Sequence, residues 1–259
     1  MHRFYCPEIA DTLTLGEEDS KHCVKVLRMG EGDTIEVVDG NGNLYTCLIT
    51  MAHPKRCAIE VLESVHQPPH WGHRIVLAIA PTKNLDRIEW LVEKCVEMGV
   101  DRIIPLRCHN SERTVLKTER LKKIMVSAMK QSLKATLPQL DEMTPMEQVV
   151  AEPFDGVRCI AYCDALLPRE QRHTLASAYQ PGKDVMVLIG PEGDFSPEEV
   201  QAARDAGFVP VTLGESRLRT ETAGMMAVAA IHAIDSCLLS VFSCQRHPQT
   251  EGEELKTEN

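Results

Sequence analysis

Val185-Met186-Val187-Leu188-Ile189-Gly190-Pro191-Glu192-Gly193-Asp194-Phe195 joins a short, wholly apolar run to a glycine-bearing loop. Five consecutive apolar residues, three of them β-branched, read as a strand buried on both faces. Directly after the loop, Ser196-Pro197-Glu198-Glu199 carries a helix start. Serine caps, proline occupies the first turn, and Glu199 completes a capping box. The same alternation extends outward. Ile75–Ala80 is another continuous apolar run, and Asp86–Met98 places Ile88, Leu91, Val92, Cys95 and Val96 at helical spacing before Gly99 stops it. Arg102–Leu106, Cys159–Cys163 and Val209–Leu213 read as strands and Thr118–Leu133 as a basic helix. Strands alternating with helices predict an α/β fold around a mostly parallel sheet.

The first 65 residues differ. Thr34–Asp39 and Leu44–Thr50 flank Gly40-Asn41-Gly42-Asn43, which predicts a hairpin. Ala58–Glu63 alternates with period two and adds a strand, while Ser20–Leu27 is the one short helix expected. This describes a small, mostly antiparallel β-barrel or sheet over residues 1–68. Pro68 and Pro69 close it, and His66 to His73 reads as a solvated hinge before a second domain over 73–243. Residues 251–259 hold four glutamates and one lysine without apolar period, so 244–259 is expected to be a disordered acidic tail.

Composition excludes whole classes of function. The chain has 259 residues, 43% hydrophobic and 25% charged, and no run approaches the ~20 apolar residues of a membrane helix. The N-terminus Met1–Glu8 lacks an apolar signal core, which points to the cytoplasm. Ten cysteines are scattered with no Cys-x-x-Cys pair, so idle thiols are expected and no metal site.

The chemistry is expected at two loops. Leu188–Phe195 and Leu213-Gly214-Glu215-Ser216-Arg217-Leu218-Arg219-Thr220-Glu221-Thr222-Ala223 each follow an apolar strand directly. Ligands of open α/β sheets bind beyond the carboxyl ends of strands, where glycine admits close backbone approach. Neither loop has a phosphate-binding pattern, and Glu192 and Asp194 would repel a phosphate. A neutral or cationic ligand suits them; two ordinary strand-to-helix turns are the plain alternative. The helix expected over Thr222–Ile234 is apolar all round and rich in small residues, which suits a buried segment or a subunit interface. His232 within it reads as a satisfied core histidine.

At these residues the sequence resembles the SPOUT methyltransferases, and more narrowly the RsmE-type enzymes that methylate N3 of a uridine in 16S ribosomal RNA. Gly190-Pro191-Glu192-Gly193, Leu213-Gly214 and Leu218-Arg219-Thr220-Glu221-Thr222-Ala223 carry the likeness. His22–Gly32 is similar to that family's N-terminal RNA-binding barrel, Lys94–Val100 to its first helix with Met98 where leucine is usual, and Gln131-Ser132 with Pro138 to a further stretch. Two positions depart from the pattern. Lys134 stands where arginine is common, keeping charge without bidentate geometry. Ser216 stands at another usual arginine, with Arg217 following.

The resemblance implies a PUA-like barrel followed by a SPOUT domain with a C-terminal trefoil knot, a rare exception to unknotted topology. It implies S-adenosyl-L-methionine as cofactor, held at Leu188, Gly190, Glu192, Gly193, Leu213, Gly214, Leu218 and Thr220. It implies a homodimer, with Arg219 stabilising the uracil anion and Glu221 orienting Arg219 or acting as base; a Glu–Arg pair that only holds the loop in shape is the plain alternative. The substrate expected is 16S rRNA in the small subunit or its precursor, with neither membrane nor DNA as partner.

Charge fits a local polyanion site. The formal net charge is −10, yet residues 101–134 hold nine Lys/Arg against three acids, net +6. Arg113, Lys122, Lys123 and Lys134 there, with Lys21, Lys25 and Arg28 in the barrel, are the candidate RNA contacts. A solvated helix face is the alternative. Three other functions stay open: a SPOUT enzyme acting on a ribose 2′-hydroxyl or guanine nitrogen, a non-catalytic assembly factor, and an adenine-nucleotide enzyme.

Overall fold

A computed structural model describes residues 2–162 and 173–244, without the side chains of 238–244. The large sheet is built from β5 (Ile75–Ile79), β6 (Arg102–Arg107), β7 (Gln139–Leu140), β8 (Thr144–Pro145), β9 (Val157–Ala161), β10 (Val185–Ile189) and β11 (Val209–Val211). Its order is β11-β9-β10-β5-β6-β7, with β8 also on β6, and every pairing is parallel. All five residues of β5 and of β10 are buried, as expected for central strands covered on both faces.

The alternation of side chains divides the core in two. Ile75, Leu77, Ile79, Val185, Val187 and Ile189 face one side, packed by α3 (Leu85–Met98), α4 (Thr118–Gln131) and α8 (Thr220–Cys244). Val76, Ala78, Met186 and Leu188 face the other, packed by α5 (Met146–Ala151) and α7 (Pro197–Asp205). The short helix α6 (Leu175–Ala178) joins the first side. The capping box at α7 forms as its sequence dictates: Ser196 Oγ accepts from Glu199 N (3.2 Å) and Glu199 Oε2 from Ser196 N (2.8 Å). No helix among the described residues is long and apolar enough to cross a membrane.

The N-terminal part has a four-stranded sheet, β1 (Arg3–Tyr5), β2 (Thr34–Val38), β3 (Asn43–Met51) and β4 (Ala58–His66), in that order. The β2–β3–β4 pairings are antiparallel, whereas β1 joins β2 in parallel. Its core is separate, around Phe4, Ile9, Leu15, Ile35 and Ile49. It contains more helix than expected. Besides α1 (Ile9–Thr12) and α2 (Glu17–Lys21), a five-residue π-helix spans His22–Val26, and Arg28 after it holds φ +58°.

The segment from His66 to His73 is partly exposed, yet it is anchored at both Trp71 and His73. Trp71 donates to Asp101 Oδ2 (2.9 Å), which also accepts from Ile75 N (2.7 Å). The indole lies against Gly99, where any Cβ would meet it at 2.4 Å and φ is +116°. His73 lies within 3.1 Å of the Tyr179 hydroxyl and 3.2 Å of Asp235. An aromatic ring and part-buried polar contacts of Trp71 and His73 thus pin the connection. Strand ends also shift: β9 stops at Ala161 and β11 at Val211, while α8 begins at Thr220 rather than Thr222. Cys163 and the tail beyond Cys244 lie outside the described residues.

Candidate active site

The two glycine-bearing loops leave the same edge of the sheet, because β10 and β11 both run parallel to β9 between them. In the first loop Leu188 is still a ladder residue between Ala78 and Ile160, so Gly190 is the first residue free of strand pairing. A Cβ at Gly190 would lie 3.0 Å from two atoms of the buried Phe195 ring. The loop turns at Asp194, which adopts φ +62° and accepts from Phe195 N (2.8 Å) through its own carboxylate. Short polar side chains tolerate this left-handed conformation best.

A third loop, after β6, braces the first. Asn110 Nδ2 donates to the carbonyls of Gly193 (3.2 Å) and Asp194 (3.1 Å), and Glu199 Oε1 accepts from His109 N (2.7 Å). Arg113 is turned inward, donating to the carbonyls of Thr82 (3.3 Å) and Lys83 (2.6 Å). It ties the ends of β5 and β6 together.

In the second loop Gly214 has φ +133° and Thr212 Oγ1 donates to its carbonyl (2.8 Å). Leu213 and Leu218 are half-buried, Glu215 to Arg217 exposed, and Thr220 and Glu221 buried at the start of α8. One turn on, a Cβ at Gly224 would sit 2.7 Å from Ile79 and 3.2 Å from Leu91. That close approach sets the first turn of α8 beside the first turn of α3. Arg87 of α3 therefore faces Glu221, Nε to Oε1 3.6 Å, and also Glu192 of the first loop, Nη1 to Oε1 3.9 Å.

These contacts revise one expected role. Glu221 does not orient Arg219: its ion partner is Arg87, and Arg219 is exposed without a partner among the described residues. Arg87 and Asn110 were missed by sequence reasoning. The signal that points to them is position: Arg87 follows β5, which pairs with β10, and Asn110 follows β6, the next strand, both on the carboxyl side of the sheet.

The basic segment is largely neutralised within the fold. Arg102 bonds Asp141 and Glu152, Arg120 bonds Glu89, Lys122 faces Glu119 at 3.4 Å, Lys123 faces Glu18 at 3.4 Å, and Lys130 donates to Asp19 at 2.8 Å. The last two clasp α4 to α2. Lys134 donates to the Glu97 carbonyl (2.6 Å) at the end of α3, and burial lowers its pKa. Lys21 on α2, Lys25 on the π-helix and Arg28 just after it are exposed. His232, expected to be satisfied, bonds the Gly99 carbonyl at 2.8 Å.

Comparison with known proteins gives this arrangement a family. Residues 69–232 match the model of an RNA methyltransferase domain, and residues 15–62 that of an RNA methyltransferase PUA domain. The structure of a probable rRNA-methyltransferase from Porphyromonas gingivalis superposes with a TM-score of 0.88 at 44% identity, over 92% of this chain and all of that one. Ribosomal RNA small subunit methyltransferase E from Neisseria gonorrhoeae, bound to S-adenosyl methionine, superposes with a TM-score of 0.76 at 27% identity, over 90% and 98% of the two chains. The enzyme of the same name from Bacillus subtilis is 27% identical over 86% of this chain and 91% of its own. The chain belongs to the family of RNA methyltransferases, with an N-terminal PUA domain and a C-terminal methyltransferase domain.

Proposed function

We propose that this protein methylates N3 of a uridine in 16S ribosomal RNA, using S-adenosylmethionine as donor. The observation that carries the reading is that one arginine, Arg87, reaches acids on both glycine-bearing segments, Glu192 and Glu221. That shared contact brings an acid of each segment beside the other, and this supports reading the two loops as one acidic, backbone-rich site. An excess of carboxylate suits a cationic donor and opposes a triphosphate. Similarity to a relative crystallised with S-adenosyl methionine supports the same choice.

When bound, the donor supplies a methyl group carried on a positively charged sulfur. Gly190, Glu192, Gly193, Leu213, Gly214, Leu218 and Thr220 would hold it, with the strand end at Leu188 setting the floor. The nucleophile, an imide nitrogen, must lose its proton to attack. Arg219, exposed beside this site and without a side-chain partner among the described residues, is placed to stabilise negative charge on the uracil carbonyls. The substrate class fits the relatives' names, and exposed Lys21, Lys25 and Arg28 offer phosphate contacts on the PUA side.

The trefoil knot belongs to this reading: α8 leaves edge strand β11 and crosses back to pack on β5 and α3. So does a homodimer through α8, on which Met226 lies exposed; a fully active monomer in sedimentation at micromolar concentration would contradict it. A cytoplasmic location goes with a ribosomal substrate. Calorimetry of the purified chain with S-adenosylmethionine and with ATP tests the cofactor assignment. Binding of the first alone is expected; binding of ATP instead would favour a nucleotide enzyme, and binding of neither an assembly factor.

A further inference from the structure

Glu221 is 7% exposed, and its Oε2 is the one buried side-chain polar atom among the described residues without a hydrogen-bond partner. A carboxylate oxygen held out of water and unpaired is strongly unfavourable, so a fold that keeps one implies a partner. Its neighbour Arg87 is equally unspent. At 3.6 Å and 3.9 Å from Glu221 and Glu192, the guanidinium balances charge without a hydrogen bond to either. One guanidinium between two carboxylates leaves one negative charge in excess. A free acceptor beside a free planar fork of donors is the complement of an α-amino acid: an ammonium for the carboxylate, a carboxylate for the guanidinium.

We propose that Arg87, Glu192 and Glu221 form the subsite for the α-amino acid end of the methyl donor, the ammonium on Glu221 Oε2 and the carboxylate on Arg87. This inference rests on the cofactor reading above and adds to it. Backbone groups of the glycine loops serve the nucleoside; these three side chains serve the methionine end. The donor carries a net charge of +1 from sulfonium, ammonium and carboxylate, which cancels the excess carboxylate of the subsite. Ribose hydroxyls are the competing partner for a buried carboxylate, and ligand choice separates the two.

The test is calorimetry of the full chain with S-adenosylhomocysteine and with 5′-methylthioadenosine, titrated to millimolar concentration, on the parent, Glu221→Gln and Arg87→Met. Methylthioadenosine keeps adenine, ribose and sulfur but lacks the amino acid end. Each variant is expected to bind S-adenosylhomocysteine about 10- to 100-fold more weakly, the scale of a charge-assisted hydrogen bond, and methylthioadenosine as the parent does. Unchanged methylthioadenosine binding also shows that the variant site is folded. Equal losses for both ligands, or no loss for either, would overturn the proposal while leaving the cofactor assignment intact. A parent that binds neither ligand overturns both readings together.

Discussion

Gly190→Ala isolates what the first loop demands of its glycine. The new Cβ would lie 3.0 Å from Cδ2 and Cε2 of Phe195 and 3.4 Å from Cζ, whereas carbon pairs rest at about 3.5–4.0 Å. Backbone conformation is not at issue, because Gly190 does not have a positive φ. The ring has little room to retreat. Phe195 is buried in the core formed with Val76, Leu188 and Val200, and its backbone is fixed by the Asp194 carboxylate and the capped start of α7. Overpacking of this kind costs about 1–3 kcal/mol, and a chain of this size loses roughly 2–4 °C of Tm per kcal/mol. A drop of about 4–8 °C is expected for a cost near the middle of that range. Phe195→Leu should relieve it, so thermal unfolding of both single variants and the double variant should show coupling of about 0.5–3 kcal/mol. Additive effects, or an unchanged Tm for Gly190→Ala, would refute the claim that Phe195 fixes this position.

Arg219→Ala should lower single-cycle turnover by about 10²–10³-fold with S-adenosylmethionine affinity unchanged; normal turnover would remove Arg219 from the chemistry. Lys25→Gln with Arg28→Gln should weaken RNA binding and flatten its logarithmic salt dependence by about 1.5, two contacts at roughly 0.7–0.9 each. An unchanged slope would take the π-helix off the RNA surface. Lys123 is a poorer probe, since reversing its charge would set a glutamate against Glu18 and loosen the α2–α4 clasp. His70 supplies a pH test. Burial, then the charges of Lys134 and His232, lowers its pKa, so the folded chain holds fewer protons there than the unfolded one. Stability should fall as pH drops through the histidine range below about 6.5, and His70→Asn should flatten that dependence in thermal melts.

Local chemistry explains which features were legible in the sequence. Val185–Ile189 and Ile75–Ile79 announce themselves because central parallel strands are apolar throughout, and Ser196 with Glu199 marks a helix start within four residues. Features that depend on distant partners stayed hidden. Arg87 and Glu221 are far apart in sequence and meet because Gly224 lets α8 settle on Ile79 and Leu91. The Pro-rich connection gives no sign of its anchor, the indole of Trp71 on Gly99 and Asp101. The basic run of 101–134 reads as a polyanion site because its acidic partners, Asp19, Glu18, Glu89, Asp141 and Glu152, are mostly supplied by other elements. The π-helix and the left-handed Arg28 have no periodic signature at all.

The central claim is a methyl group on N3 of uridine in 16S rRNA, and nucleoside mass spectrometry reads it directly. Small subunits from a strain lacking the gene would be incubated with the purified protein and S-adenosylmethionine, and their 16S rRNA digested to nucleosides. The account predicts that 3-methyluridine, absent before incubation, appears with the parent protein and is strongly reduced with Arg219→Ala. A methyl group on a ribose 2′-oxygen or a guanine nitrogen instead, or no new methylated nucleoside from subunits or their precursors, would contradict it.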